Sequence, residues 1–299
     1  MSLAPSTLHR SLELAGTLPA LMVAADRVAA TVIQGVHGRR RVGQGDAFWQ
    51  YRPYRDGDAA NQIDWRQSAR SRHLFVRETE WEAAASIWLW RDASPSMQYA
   101  SLKNIDTKAV RGELITLALA SLLADAGERV TVLGSGMRPT SGRVAVRRVA
   151  ETLFDESRDT KRTPPSLPPL LPLPAHGTVV LVSDWLDPLD KIEAVISHYS
   201  SGGVRGHLVM VLDPAEEDLP FDGHVKFEGL EAEGQHTIRR VEGVRAAYGA
   251  RLAAQKEGLQ QLTRSTDWTV HLHRTDRPPQ TVLLSLYLAM ADLRRLTAA

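Results

Sequence analysis

Hydrophobic residues gather along this chain in short runs, and helical patterns separate the runs. The runs are Ser86 to Trp90 (SIWLW), Arg129 to Leu133, Thr178 to Val182 (TVVLV), His207 to Leu212 (HLVMVL) and Trp268 to His273 (WTVHLH). They are β-branched and apolar rather than alternating, as strands covered on both faces must be. Between and after them, Asp106 to Ala126, Val144 to Phe154, Lys191 to Tyr199, Val244 to Leu262 and Thr281 to Leu296 read as helices. The second half of the first helix (LITLALASLLADA) is apolar almost all round, so it is expected to be buried. Strands alternating with helices predict an α/β fold with a doubly wound, mainly parallel sheet. Gly223 to Ile238 reads as a small hairpin.

The N-terminal part follows other rules. Pro19 to Gln34 reads as a helix, with Pro19 in its first turn and Gly35 suited to cap its end. Leu21, Ala25, Val28, Ala29, Val32 and Ile33 recur in it at helical spacing. Residues 46–80 are dense in Arg, Asp and aromatics with weak periodicity. Lys161 to Pro174 is rich in proline, which excludes regular structure. The expected organisation is an N-terminal helical and irregular Arg/Asp-rich extension over 1–82 and an α/β domain over 83–299.

Composition narrows the function classes. Of 299 residues, 43% are hydrophobic and 24% charged, as in an ordinary globular protein. With 36 Lys and Arg against 35 Asp and Glu, the net charge of +1 gives no global attraction to nucleic acid or a membrane surface. The absence of cysteine excludes disulfides, thiolate nucleophiles and cysteine metal sites, and suits a reducing compartment. The best apolar stretch, Leu18 to Ile33, is broken by Asp26 and Arg27 and is short for a membrane span. No signal-peptide pattern precedes it. The expectation is a cytoplasmic protein without membrane insertion.

Two acidic loops carry candidate chemistry. Asp92-Ala93-Ser94-Pro95-Ser96 follows SIWLW directly, and Ser183-Asp184-Trp185 follows TVVLV. Ligands of open parallel sheets bind outside the carboxyl ends of strands. Carboxylates and hydroxyls gathered there suit a hard cation, Mg²⁺ or Mn²⁺, held weakly. The plainer reading is that the serines and Pro95 build a turn and that the aspartates cap it. A third constellation, Arg52 to Asp58 with Ile63-Asp64-Trp65 and Ala69-Arg70, suits either an internal ion-pair network or an exposed recognition surface.

The spacing R-x-Y-x-x-G-D-x-x-x-x-I-D-W-x-x-x-A-R is carried by Arg52, Tyr54, Gly57, Asp58, Ile63, Asp64, Trp65, Ala69 and Arg70. It resembles the signature of domain-of-unknown-function family 58, and the resemblance runs over roughly residues 35–295. Asp92, Ser94 and Ser96 resemble the metal-ion-dependent adhesion site of von Willebrand factor A-like domains, and Asp184 resembles that site's later acidic loop. The resemblance implies a von Willebrand A-like fold, serines on the metal, and a threonine from a middle loop. Thr140 is the best-placed candidate, although it departs from the usual glycine-rich pattern. It also implies a role beside MoxR-type AAA+ ATPases in assembling or maturing other proteins.

The leading expectation is a non-enzymatic, metal-dependent protein-interaction module, with a MoxR-type ATPase or its client as partner. The alternative is a metal-dependent hydrolase using the same site, and a third reading is a scaffold with a vestigial site. A hydrolase needs a general base near the metal. His198, His207, His271 and His273 are the candidates, and none lies in the motif loops. His271 and His273 alternate along one strand, so at most one is expected to face a given site. Trp65 is expected to be buried, with Asp58 or Asp64 pairing with Arg52 or Arg70 in a clamp.

Overall fold

The computed structural model describes residues 22–33, 48–54, 63–71, 73–79, 85–158, 163–230 and 234–297. Its contacts divide the chain into two units, 37–84 on the one hand and 1–36 with 85–299 on the other. Helix α1 (residues 22–33) therefore belongs with the α/β unit rather than with the signature segment that follows it in sequence. Ala25, Val28, Ala29 and Val32 of α1 are buried in that unit's core, which is what their helical spacing predicts.

The smaller unit contains β1 (Phe48–Pro53) and β2 (Phe75–Thr79), paired antiparallel, and the one-turn helix α2 (Trp65–Ser68). The Ser68 hydroxyl donates to the Asp64 carbonyl at 2.7 Å and accepts the Phe75 N–H at 2.9 Å, which ties α2 to the start of β2.

The larger unit is built in the predicted alternation. Its elements run β3 (Ser86–Arg91), α3 (Lys108–Asp125), β4 (Arg129–Val132), α4 (Gly142–Arg158), β5 (Thr178–Ser183), α5 (Leu189–Ser201) and β6 (Arg205–Leu212). They continue with α6 (Pro214–Asp218), β7 (Val225–Glu228), β8 (Gln235–Ile238), α7 (Arg245–Arg264), β9 (Trp268–Arg274) and α8 (Pro279–Thr297). The five long-range strands form one sheet in the order β4-β3-β5-β6-β9, and every pairing is parallel. β7 and β8 form the expected separate hairpin.

Both faces of the sheet are covered. Ile87, Leu89, Val180, Val182, Val209 and Val211 face α1, α3, α4 and α8. Trp88, Trp90, Leu181, Leu208 and Met210 face α5 and α7. The proline-rich stretch 163–174 lies without regular structure against this second cluster through Leu167 and Leu173. The Tyr199 hydroxyl donates to the carbonyl of Pro169 and so pins it there. Proline cannot donate to a ladder, so a side-chain hydroxyl and apolar contacts fix the segment instead.

The strand order reverses between β3 and β5: the chain moves from β3 to β4 on one side, then returns to place β5 on the other. In open parallel sheets such a reversal opens a crevice at the strands' carboxyl ends. Asp92 and Asp184 follow the two strands that flank it.

The histidines of the sheet form a buried row instead of a site. His271 and His273, two residues apart, share one face of β9, contrary to the expectation that at most one would point a given way; strand side chains repeat with period two. His207 Nδ1 lies 2.7 Å from Thr269 Oγ1, which lies 2.8 Å from His271 Nε2, and His271 Nδ1 lies 3.0 Å from the Ser285 hydroxyl of α8. Burial pushes His207 down to about 3 and His271 and His273 down to about 4. The fold thus refuses protons that the unfolded chain accepts below pH 6.5. Stability is expected to fall as pH drops from 6.5 toward 4, by up to about 3 kcal/mol per histidine. Urea unfolding at pH 7.5, 5.5 and 4.5 measures this, and His271→Gln should flatten the slope. A slope unchanged in His271→Gln would show that this histidine carries no such penalty.

Candidate metal centre

The Asp92 loop is built by its own hydrogen bonds. The Asp92 N–H donates to the Val182 carbonyl at 2.7 Å, which extends the β3–β5 pairing to the aspartate itself. Its carboxylate accepts the Ser94 N–H at 2.7 Å and the Ser183 hydroxyl at 2.8 Å. Pro95 then starts a 3-10 turn, Pro95–Gln98, whose Met97 plugs the core below. On the β5 side, Trp185 takes a positive φ of 51°, uncommon for a side chain of this size. Its indole N–H donates to the Val209 carbonyl at 3.1 Å and its backbone N–H to the Ser183 hydroxyl at 3.2 Å. These contacts hold the strained turn that presents Asp184.

The structure brings Asp92, Ser94, Ser96 and Asp184 together. Ser94 Oγ and Ser96 Oγ are 3.1 Å apart, and the Ser96 hydroxyl donates to Asp184 Oδ2 at 2.9 Å. Adjacent oxygens around an octahedral Mg²⁺, each about 2.1 Å from it, stand about 3.0 Å apart. The two separations from Ser96 Oγ are those of hydrogen bonds and also match adjacent ligands on such an ion. Among the described residues, no three His, Cys, Asp or Glu side chains converge as a metal group, so a cation here would depend on the serine hydroxyls.

Thr140 is not part of this cluster. It forms an isolated antiparallel bridge with Val130, whose partner across the sheet is Ile87. Asp92 lies five residues beyond Ile87, about 16 Å along the strand at 3.3 Å per residue. The loop after β4 folds back along that edge strand, and this carries Thr140 away from the carboxyl ends.

Two further residues belong to the site. Lys108, in the first turn of α3, is 1% exposed. Its ammonium donates to Asp184 Oδ2 at 2.8 Å and to Glu216 Oε1 at 2.6 Å. Burial would lower the lysine, but the two carboxylates outweigh it and hold the ammonium above its usual range. Burial pushes Glu216 up, offset only in part by Lys108. Glu216 sits in a capping box after β6, where its carboxylate also accepts the Asp213 N–H at 2.8 Å. Among the described residues no ammonium pairs with Asp92: burial pushes its carboxyl up to about 6, with the Ser94 and Ser183 bonds opposing and nearby Asp184 adding to the rise. The ammonium of Lys108 is shared between Asp184 and Glu216, while the nearby buried Asp92 carboxylate accepts from the Ser94 N–H and the Ser183 hydroxyl. Buried charges need partners, so the donor set suits an added cation.

The signature segment departs from expectation. Ile63 is buried, but Trp65 is 63% exposed. Asp64 caps α2, its carboxylate accepting the Gln67 N–H at 2.9 Å. This sends Trp65, the first helical residue, outward while Ser68 faces in. Ala69 and Arg70 are exposed, and Tyr54 is half-buried with its N–H bonded to the Leu74 carbonyl at 2.8 Å. Gly57, Asp58 and the Arg52 side chain lie outside the described residues.

An all-parallel, doubly wound sheet with carboxylates and hydroxyls at its switch point places this molecule among the α/β proteins that present polar loops at the carboxyl ends of their strands. More particularly, the chain belongs to the family described as "Protein of unknown function DUF58", which matches residues 50–258. It is similar to the uncharacterized protein Rv1480 of Mycobacterium tuberculosis and the uncharacterized protein Mb1516 of Mycobacterium bovis. Each is 24% identical over 293 residues, covering 91% of this chain and 89% of the relative. No solved structure matches the chain. Among the described residues, no helix is long and apolar enough to cross a membrane.

Proposed function

We propose that this protein is a non-catalytic interaction module of the von Willebrand A-like kind, working in the cytoplasm through a metal-ion-dependent adhesion site. Ser94, Ser96 and Asp184 would hold Mg²⁺ or Mn²⁺, with Asp92 fixing Ser94 and neutralising charge. A bound cation would supply an open coordination position for a carboxylate of a partner protein. The single observation that carries this reading is the run of oxygens from Ser94 to Ser96 to Asp184, at 3.1 and 2.9 Å, across the crevice. One such bond is modest in energy, so the rest of the interface around the crevice must supply most of the affinity. The proposed partner is a MoxR-type AAA+ ATPase or its client.

Calorimetry with MgCl₂ and MnCl₂ tests the cation. Weak binding is expected, and Ser96→Ala should reduce it by about tenfold or more without lowering Tm appreciably. Chelator and Ser96→Ala should then weaken capture of the ATPase to the same degree. Partner binding indifferent to both would end the metal-centred mechanism. Phosphoester hydrolysis lost in Asp92→Ala would replace the module with a metal-dependent hydrolase.

A further inference from the structure

Lys108 is placed where isolated physical chemistry disfavours a lysine. It lies one residue after the Thr107 N-cap, at the positive end of the α3 dipole, and its ammonium is buried. Only its carboxylate partners make the position tolerable. Those partners come from different strand ends: Asp184 follows β5, and Glu216 lies in α6 after β6. The same Asp184 oxygen that accepts from Lys108 also accepts from Ser96.

We propose that Lys108 is a tethered counter-ion that competes with a divalent cation for Asp184, and so sets the affinity of the site. The inference rests on the cation reading above. A cation ligated by Asp184 Oδ2 would share that oxygen with the Lys108 ammonium, which lies 2.8 Å from it. Like charges that close, both withdrawn from bulk water, repel strongly. The ammonium therefore lowers the cation's affinity. It also keeps the Asp184 loop and α6 together in the cation's absence, so the crevice is assembled before any ion arrives. Glu216 acts in the opposite sense: its carboxylate shares the ammonium and relieves Asp184 of part of it. Lys108 and Glu216 thus form a positioning pair that tunes the ion without ligating it.

The two charges predict opposite effects, which a purely structural role does not. Calorimetric titration of the full chain with MgCl₂, repeated with MnCl₂, reads them directly. Lys108→Met should bind the ion at least about tenfold more tightly than the unaltered chain. Glu216→Gln should bind it several-fold more weakly, and the double variant should return toward the starting value. Thermal melts without metal establish that each variant is folded. If Lys108→Met does not fold, the Glu216→Gln arm decides alone: weaker binding supports the proposal, and unchanged or tighter binding overturns it. Binding by Lys108→Met where the unaltered chain shows no heat also supports it. If the unaltered chain binds and both variants bind equally well, the counter-ion proposal fails while the cation reading stands. If no form binds either ion at several millimolar, both fail.

Discussion

Replacing Gly206 by alanine is expected to destabilise the α/β unit by about 3 kcal/mol or more. Gly206 lies in β6, between β5 and β9. A Cβ there would stand 2.1–2.3 Å from three atoms of the Trp268 indole, so the ring rests directly on the glycine backbone. The indole has no easy retreat. Its N–H donates to the Val204 carbonyl at 3.2 Å, and its ring stacks on Tyr199 at 6.4 Å. Tyr199 in turn holds the proline-rich segment at Pro169. An added methyl must therefore displace a ring coupled to three elements, or bend a strand paired on both sides. Overpacking of this kind typically costs about 1–3 kcal/mol, and rigid neighbours put this position at the upper end. Urea unfolding followed by tryptophan fluorescence measures the loss. Gly249→Ala in α7 is the control: nothing lies within 4 Å of its Cβ, and alanine should stabilise that helix by up to about 1 kcal/mol. A Gly206→Ala protein as stable as the parent would show that the indole can move aside.

The sheet was legible because its strands are buried on both faces, which turns each into an uninterrupted apolar run such as TVVLV. The strand-end rule then located Asp92 and Asp184 without any knowledge of contacts. The same rule applied to HLVMVL would have reached Asp213 and Glu216, whose D-P-x-E spacing is also a capping-box signal. Helix α6, five residues long, is too short to show a period. Lys108 was hidden for another reason: a lysine at the start of a helix reads as solvated, and only the tertiary arrangement shows two carboxylates around it. The β1–β2 pair has no strand signature in the sequence because charges such as Arg77 and Glu78 interrupt any alternation. Trp65 is exposed despite its residue type because its position decides its direction. The N-cap at Asp64 fixes the helix orientation, and hence the direction of the next side chain.

Asp92→Asn is expected to stabilise the metal-free protein at pH 7.5 by about 1–2 kcal/mol, and to abolish any rise in Tm on adding Mg²⁺. The carboxylate is 0% exposed, and burial raises its pKa from 3.8 to about 6. The sign follows from linkage. Between pH 3.8 and 6 the unfolded chain has lost a proton that the folded chain still holds, so stability declines as pH rises through that window. Above pH 6 the folded protein carries the full penalty, about 3 kcal/mol for a change of this size. Asparagine cannot ionise and escapes it. It still accepts from the Ser94 N–H, but its amide cannot accept from the Ser183 hydroxyl, which returns about 1 kcal/mol of the gain. The histidines raise the stability of both proteins as pH climbs from 4 to 6.5, and the parent should gain less than the variant by this one group. Melts across that range with chelator, then with MgCl₂, separate the two effects. A cation that neutralises Asp92 should raise the parent's Tm near neutral pH and leave the variant unchanged. If Asp92→Asn is instead less stable than the parent at pH 7.5, the carboxylate is a structural cap for Ser94 and Ser183. A side chain whose charge weakens the empty fold, yet strengthens it once an ion is added, belongs to the ion.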